Sequence, residues 1–227
     1  MCFRKIVSCL CLASLFLAYC SPAVRLTPSP KADIPSGSPD AAFGETAGVH
    51  VLVETESWTG YPSIEEHVTP IRVTITNRSD TPLRIRYQSF VLKVNSDHLR
   101  AQAPYHLQGM MRIPYSEAKH FDDTVFHYDD LEVDPCCEIL ERVLAQSDTS
   151  SGDEGLPDVW VQLPTREMVQ LVLPDGVVDT GELVSGFLYF DRLRSGPAEV
   201  TFTADIVSAV DGELMGEVEI PLKLVQR

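Results

Sequence analysis

Cysteine is scarce in the part of the chain that can fold into a domain. Four of the six cysteines lie within the first twenty residues, which leaves the adjacent pair Cys136 and Cys137 for the rest of the chain. One adjacent pair cannot cross-link distant parts of a fold, so a scaffold stapled by several disulfides is excluded. The fold must therefore be held together by an apolar core.

Basic residues are also few, and common catalytic motifs are lacking. The chain has 18 Lys and Arg against 33 Asp and Glu, a net charge of −15, and removal of residues 1–19, which carry two of the basic residues and no acidic one, makes it −17. Such a charge repels a phosphate backbone, so a nucleic-acid partner is excluded. Gly-x-Ser-x-Gly, His-Glu-x-x-His and a Gly-rich phosphate loop do not occur. We expect no catalytic residues, no metal, no cofactor and no enzymatic activity.

The one long apolar run stands at the start of the chain and indicates export. Arg4 and Lys5 precede the apolar residues 6–18, and the segment ends just before Cys20. A short positive start, an apolar stretch and a cleavage region are the three parts of a signal peptide. The run is too short for a membrane-spanning helix, which needs about 20 apolar residues. We expect residues 1–19 to be removed.

The residues around Cys20 resemble the lipobox of bacterial lipoproteins, which are cut before a cysteine and anchored through lipid on it. Leu17 and Ala18 match that pattern, whereas Tyr19 stands where a small residue is usual. The alternatives are palmitate-type lipidation of Cys20, which we expect, and cleavage nearby by an ordinary signal peptidase. By the same resemblance, Ser21 is not the Asp that retains lipoproteins in the inner membrane, so the outer membrane is favoured.

The exported chain divides into two parts by composition. Residues 20–48 are rich in Pro, Ser and Ala without a periodic apolar pattern, which predicts a flexible, lipid-anchored tether. Residues 49–227 are long enough for one domain with its own core.

The domain is predicted to consist of short β-strands. Apolar and polar residues alternate along residues 49–54, 71–76, 83–87 and 200–206, as is typical of half-buried strands. This alternation predicts that Thr203 is exposed on the outer face of its strand. The predicted core is centred on Ile71, Val73, Ile75, Leu83, Ile85, Phe187 and Phe202.

Local signals refine the strand pattern. The apolar parity shifts after Tyr87, which predicts a bulge or a short break near Gln88. Asp211-Gly212 predicts a hairpin turn. Pro221 predicts an edge strand because proline has no N–H for the ladder. Residues 183–190 are apolar on both faces, which predicts a central strand.

Residues 104–181 interrupt the strands and predict a long, mostly irregular insertion with short helices. Asp134 is the N-cap candidate of a first helix, with Pro135 at its first position. Thr165 is the N-cap candidate of a second helix over residues 166–171.

Several strand motifs resemble a known family. Residues 68–77, the turn after them and residues 82–90 look like the immunoglobulin-like extracellular domain of uncharacterised bacterial lipoproteins, and residues 181–190 are similar to a later strand of that domain. The resemblance implies an all-β, immunoglobulin-like antiparallel β-sandwich and no catalytic residues.

The insertion contains the residues with the most reactive side chains. Cys136 and Cys137 are candidates for redox or metal chemistry, yet side chains of adjacent residues on a helix point about 100° apart. His120 and His127 stand among aspartates, and these residue types bind zinc or hard cations, but their spacing matches no compact ligand motif. We expect both groups to be structural or incidental.

Trp58 and Tyr61 lie in the loop after the first predicted strand. An aromatic ring in a loop can stack on a ligand such as a glycan, or it can cap the end of a core. We favour the capping role because large aromatic side chains are mostly buried.

The sequence favours a non-enzymatic cell-envelope lipoprotein that acts as a binding or structural module. Its membrane contact would be the lipid on Cys20, and an envelope protein or a glycan are the partner classes open to it. The first alternative is a periplasmic redox- or metal-handling protein that uses Cys136, Cys137 and residues 120–130. The second is an enzyme whose site the sequence does not reveal.

Overall fold

A computed structural model of the protein describes residues 24–114 and 158–226, apart from residues 195 and 197. Over these ranges the chain forms antiparallel strands, one short α-helix and three 3₁₀ turns. The strands are β1 (Val24–Pro28), β2 (Ala41–Thr46), β3 (Val49–Glu54), β4 (Val68–Asn77), β5 (Leu83–Ile85), β6 (Phe90–Val94), β7 (Asp97–Arg100), β8 (Gly109–Ile113), β9 (Val159–Leu163), β10 (Gly176–Val178), β11 (Leu183–Asp191), β12 (Ala198–Val207) and β13 (Leu214–Gln226). The helix is α1 (Arg166–Leu171), and the 3₁₀ turns are Pro62–Glu66, Tyr87–Ser89 and Pro104–His106.

Two antiparallel sheets form the body of the domain. One sheet has the order β1-β13-β12-β6-β7 and the other has the order β11-β4-β3-β2. The order of strands in the two sheets is that of an immunoglobulin-like sandwich. In the first of these sheets, β6, β7, β12 and β13 correspond to strands C, C′, F and G. In the second, β3, β4 and β11 correspond to strands A, B and E. The predicted all-β, immunoglobulin-like fold is therefore confirmed. Two small ribbons, β5-β10 and β8-β9, are added to it.

The main core lies between the two sheets. Ile71, Val73 and Ile75 alternate inward along β4, and Phe202 lies opposite on β12 with its side chain fully buried. Phe90 stacks on Phe202 with ring centroids 6.2 Å apart. Six of the seven predicted core residues belong to this cluster. The seventh, Phe187, is buried in a second cluster on the other face of β11.

β11 is not the central strand that its two apolar faces predict. It lies at the edge of its sheet. Leu188 and Phe190 face the main core, whereas Phe187 and Tyr189 face the second cluster. Both faces of β11 are apolar because its outer face also packs in a core, the second cluster, which includes residues of β8, β9 and α1. The second core, rather than a neighbouring strand, explains the pattern.

The predicted tether over residues 20–48 is wrong from residue 24 onward. β1 pairs with β13 at the edge of the five-stranded sheet, and β2 pairs with β3. Leu26 and Ala42 are buried in the main core. The domain therefore begins at β1 rather than at residue 49. β1 and β2 are short strands in a proline-rich segment, so their sequence shows no apolar periodicity. The strand that pairs with β1 is β13, which is far from it in the sequence.

Pro221 lies in a strand that has neighbours on both sides, so the edge-strand prediction for β13 is wrong. The position still explains why a proline is tolerated. β1 ends at Pro28, and Ser29 N–H donates to the carbonyl of Pro221 at 3.1 Å. The Ser29 carbonyl accepts from Ala32 N–H at 2.9 Å, so it does not need the N–H that Pro221 lacks.

Thr203 is buried, contrary to its predicted exposure. Lys93 on β6 reaches Glu217 and Glu219 on β13, with Nζ–Oε1 distances of 3.1 and 3.2 Å. β12 runs between these two strands, so the lysine side chain crosses its outer face. Thr203 lies opposite Glu219 in the register and is covered by this bridge.

Most local signals are confirmed. The break after Tyr87 is a 3₁₀ turn through which the chain passes from β5, in the β5-β10 ribbon, to β6 in the five-stranded sheet. Gly212, at a φ of 78°, lies in the turn between β12 and β13. The Thr165 side chain accepts from Met168 N–H and caps α1 as predicted. The described part of the insertion also contains β8, β9 and β10, where the sequence predicts mostly irregular structure. The helix predicted from Asp134 lies outside the described residues.

The Asn77 side chain forms hydrogen bonds that connect the loops at the end of the sandwich where β4 ends. Its Nδ2 donates to the carbonyls of Thr81 at 3.0 Å and Val178 at 3.1 Å. Its Oδ1 accepts from the N–H of Ser79 at 3.0 Å and from the Ser79 hydroxyl at 2.7 Å. The side chain is fully buried, so every polar atom of the amide is satisfied without water.

Candidate functional site

The β8-β9 ribbon is held on the sandwich by the second core. Met111 and Ile113 on β8 and Leu163 on β9 point inward and are buried. They join Met168 of α1 and Tyr189 of β11 in one cluster. The inner face of the ribbon is therefore fixed, and its outer face is a surface of the described part of the insertion.

The outer face of this ribbon carries the side chains Met110, Arg112, Trp160 and Gln162, which we call the ribbon face. Arg112 lies directly opposite Trp160, and Met110 lies opposite Gln162. Trp160 is 62% exposed and Met110 is 54% exposed. Single exposed apolar side chains are common on protein surfaces, so the informative feature is that Trp160 and Met110 lie together on one face.

The ribbon face combines an apolar plate with hydrogen-bonding groups. Arg112 forms an ion pair through Nε with Asp158, and 65% of its side chain is exposed. Arg112 is the cross-strand neighbour of Trp160, and Gln162 is two residues further along β9. The guanidinium and the amide therefore lie on the same face of the ribbon as the indole ring. A flat indole with donors at its margin suits a ligand that has one apolar face and polar edges.

The second tryptophan is used in packing. Trp58 meets Phe187 edge-on with ring centroids 5.0 Å apart, and meets Tyr189 edge-on at 6.0 Å. Its Nε1 donates to the carbonyl of Tyr61 at 2.9 Å. Trp58 and Tyr61 are half-buried against the second core. These contacts favour the capping role over ligand stacking for this pair.

A cavity of about 630 Å³ opens at the end of the sandwich where β1 begins; we call it the amino-terminal cavity. Its lining includes Arg25 of β1, Glu66 of the first 3₁₀ turn, and Arg192 and Arg194, which follow β11. Arg25 Nη1 lies 2.9 Å from Glu56 Oε1, so this pair is neutralised. The volume is within the range of small-ligand sites.

The buried tyrosines are structural. Tyr87 donates its hydroxyl to the carbonyl of Leu173, and Tyr189 donates to that of Met168, both at 3.0 Å. Burial, followed by nearby negative charge, raises the pKa of both hydroxyl groups. Both hydroxyls therefore stay protonated, and neither is poised for proton transfer near neutral pH.

The remaining sequence candidates lie outside the described residues: Cys20, His120, His127, Cys136 and Cys137. Within residues 24–114 and 158–226, no group of three or more His, Cys, Asp or Glu side chains is placed to hold a metal ion. The helices in the same ranges include none long and apolar enough to cross a membrane.

Comparison with known proteins assigns no family to the chain. No family model and no curated protein matches it. A solved structure of a candidate lipoprotein, ycdA from Bacillus subtilis, is similar at a TM-score of 0.38 and 11% sequence identity. The match covers 78% of this chain and 37% of that one, so the chain spans well under half the length of that protein. Similarity at this level transfers neither fold nor function.

Sequence reasoning singled out Trp58 and missed Trp160. The signal was present, since Val159, Val161 and Leu163 alternate with Trp160 and Gln162. Alternation shows which residues share a face, but it does not show which face meets a core. The structure resolves this by placing the second core under the valine face.

Proposed function

We propose that the chain is an exported, lipid-anchored protein of the bacterial cell envelope that acts as a non-enzymatic binding module. The export signal, with Arg4 and Lys5 before the apolar run, and the lipobox-like residues before Cys20 support the anchor. Ser21 favours the outer membrane. No described feature favours the redox or metal alternative, which depends on Cys136, Cys137 and residues 120–130.

The ribbon face is the binding surface in this proposal, and the exposure of Trp160 is the observation that carries it. Burying a large aromatic side chain contributes roughly 1.5–3 kcal/mol, so a ligand that covers the indole gains free energy that the folded domain leaves unused. The neighbouring Arg112 and Gln162 offer hydrogen bonds to hydroxyl and amide groups. A neutral glycan strand, with apolar ring faces and polar edges, fits this chemistry.

The two tryptophans make this proposal testable by fluorescence, because they are the only two in the chain. The processed, full-length protein is titrated with a soluble tetramer of β-1,4-linked N-acetylglucosamine. In Trp58→Phe protein, only Trp160 emits, and we expect its emission to shift to shorter wavelength with saturation. In Trp160→Phe protein, we expect no shift and at least about tenfold weaker binding by calorimetry.

The controls separate binding from folding. Trp160 is exposed, so Trp160→Phe protein should melt within about 0.5 kcal/mol of wild type. Arg86→Gln changes an exposed arginine outside the ribbon face and should leave binding unchanged. Undiminished binding by the Trp160→Phe protein, or no saturable binding by the wild type, would refute the glycan-binding proposal.

A further inference from the structure

The turn between β12 and β13 lies at the end of the domain that is far from the expected anchor. β13 has 13 residues from Leu214 to Gln226, and Gln226 pairs with Val24 at the start of β1. At about 3.3 Å per residue, the strand is about 40 Å long. Residues 21–23 separate Val24 from Cys20, so the turn lies about 40 Å along the domain from the attachment point that is proposed above.

Four adjacent strands present one row of side chains at this end of the domain. Val177 of β10 lies opposite Arg84 of β5, and an antiparallel bridge between β5 and β12 places Arg84 beside Val207. Val207 in turn lies opposite Leu214 of β13. Cross-strand partners share one face of a sheet, so the row is continuous across the four strands.

The apolar members of this row are open to solvent. Val177 is 55% exposed and Leu214 is 63% exposed, and Val210 in the adjoining turn is 74% exposed. We call Val177, Val207, Val210 and Leu214 the hairpin surface. Exposed apolar side chains that lie together, unlike single ones, mark sites of interaction.

The charges around the hairpin surface are mostly negative. Residues 205–219 include no basic residue and five exposed acidic ones, which are Asp205, Asp211, Glu213, Glu217 and Glu219. Lys93 forms ion pairs with Glu217 and Glu219, and the Arg84 guanidinium donates to the carbonyl of Ala209 at 3.4 Å. The other three carboxylates have no ion pair within the described part of the chain.

This combination of charge and position distinguishes between occupants. A second copy of the chain would bring the same carboxylates against this surface, and like charges across an interface are unfavourable. Anionic lipid headgroups and nucleic acid are repelled for the same reason, and the bilayer is also far from the turn. A protein surface that has apolar side chains among Lys and Arg complements both the valines and the carboxylates.

We propose that the hairpin surface docks a second protein of the cell envelope through an apolar patch that is surrounded by basic residues. Val210 and Leu214 supply the apolar contact. Asp205, Asp211 and Glu213 attract the basic residues around it and orient the partner.

Photo-crosslinking followed by binding measurements tests this proposal. The full chain is produced in its native cells with p-benzoylphenylalanine in place of Val210 or, as the control, in place of Ile34, which is exposed elsewhere on the domain. We expect a heterologous crosslink at position 210 and not at position 34. Capture alone is not support, so the captured protein is purified and its affinity for the processed, full-length chain is measured.

Variants of both components of the surface give the decisive measurements. Leu214→Ser should weaken binding of the purified partner at least about tenfold, whereas Ile34→Ser should not change it. The Asp205→Asn, Glu213→Gln double variant should slow association and reduce its dependence on salt between about 0.05 and about 0.5 M. Glu199→Gln, at the other end of β12, is the matched control for charge. All these positions are exposed, so the variants should melt like wild type.

Three outcomes would overturn the proposal. They are a crosslink only to another copy of the chain, equal crosslinking at positions 210 and 34, and an affinity that Leu214→Ser leaves unchanged. Binding of the partner by Trp160→Phe protein should equal that of wild type, which separates this surface from the proposed glycan site. A protein that binds the partner but carries no lipid on Cys20 refutes the anchor and leaves the docking assignment standing.

Discussion

Replacing Asn77 by aspartate should destabilise the domain far more than its small change in size suggests. The side-chain amide donates to the carbonyls of Thr81 and Val178, and the site is fully buried. Aspartate keeps the acceptor for Ser79 but loses both donors and places a negative oxygen against two carbonyls. Each buried polar group left unsatisfied costs about 1–3 kcal/mol. We expect Asn77→Asp to lower the free energy of unfolding by about 2–5 kcal/mol at pH 7.

Urea denaturation measures this loss. A domain of this size has a dependence on urea of about 2–3 kcal/mol per molar, so the midpoint should fall by roughly 1–2 M with an unchanged slope. Asn95→Asp is the matched control because Asn95 is an exposed turn residue. The same chemical change there should alter the free energy of unfolding by no more than about 0.5 kcal/mol.

The penalty of Asn77→Asp should also depend on pH. Burial beside carbonyls raises the pKa of the new carboxyl group above its unfolded value of about 3.9. A group with a raised folded pKa favours the folded state below the unfolded pKa, and this contribution is lost as pH rises through the folded pKa. The gap between variant and wild type should therefore narrow as pH falls from 7 towards 4. Equal losses for the two aspartate variants, or a gap that widens at low pH, would refute the role assigned to Asn77.

Three further substitutions test the packing. Phe202→Ala removes a fully buried ring and should cost about 3–5 kcal/mol in denaturant melts; a loss under about 1 kcal/mol would contradict the register of β12. Gly186→Ala would place a Cβ 2.5 Å from backbone atoms of Leu173 and should cost more than about 2 kcal/mol, whereas Gly196→Ala, with no atom within 4 Å, should melt like wild type. Thr203→Ala should cost about 1 kcal/mol because the hydroxyl is buried; no measurable change would mean that the side chain is open to solvent.

The sequence predicts the parts of the fold that depend on nearby residues. The alternation along β4 and β12, the break after Tyr87 and the cap at Thr165 all follow from local geometry. β1 could not be found in this way, because its partner β13 is the last strand and its five residues carry no clear period. The edge position of β11 does not follow from its sequence for a related reason, since its outer face is buried by the second core and not by a neighbouring strand.

The candidate site depends even more on tertiary structure. Trp58 and Trp160 are chemically identical in the sequence, and only the second core distinguishes the ring that packs from the ring that is exposed. The cavity joins residues from β1, the first 3₁₀ turn and the segment after β11. No spacing within the sequence links these three segments.

The most direct test of the lipid-anchored assignment is mass spectrometry of the N-terminal peptide of protein extracted from bacterial membranes. The account predicts that residues 1–19 are absent and that Cys20 is the first residue and carries diacylglyceryl and acyl groups. Tyr19→Gly should speed this processing, because a small residue before the cysteine matches the lipobox better. An unmodified N-terminus at any residue other than Cys20 would contradict the account.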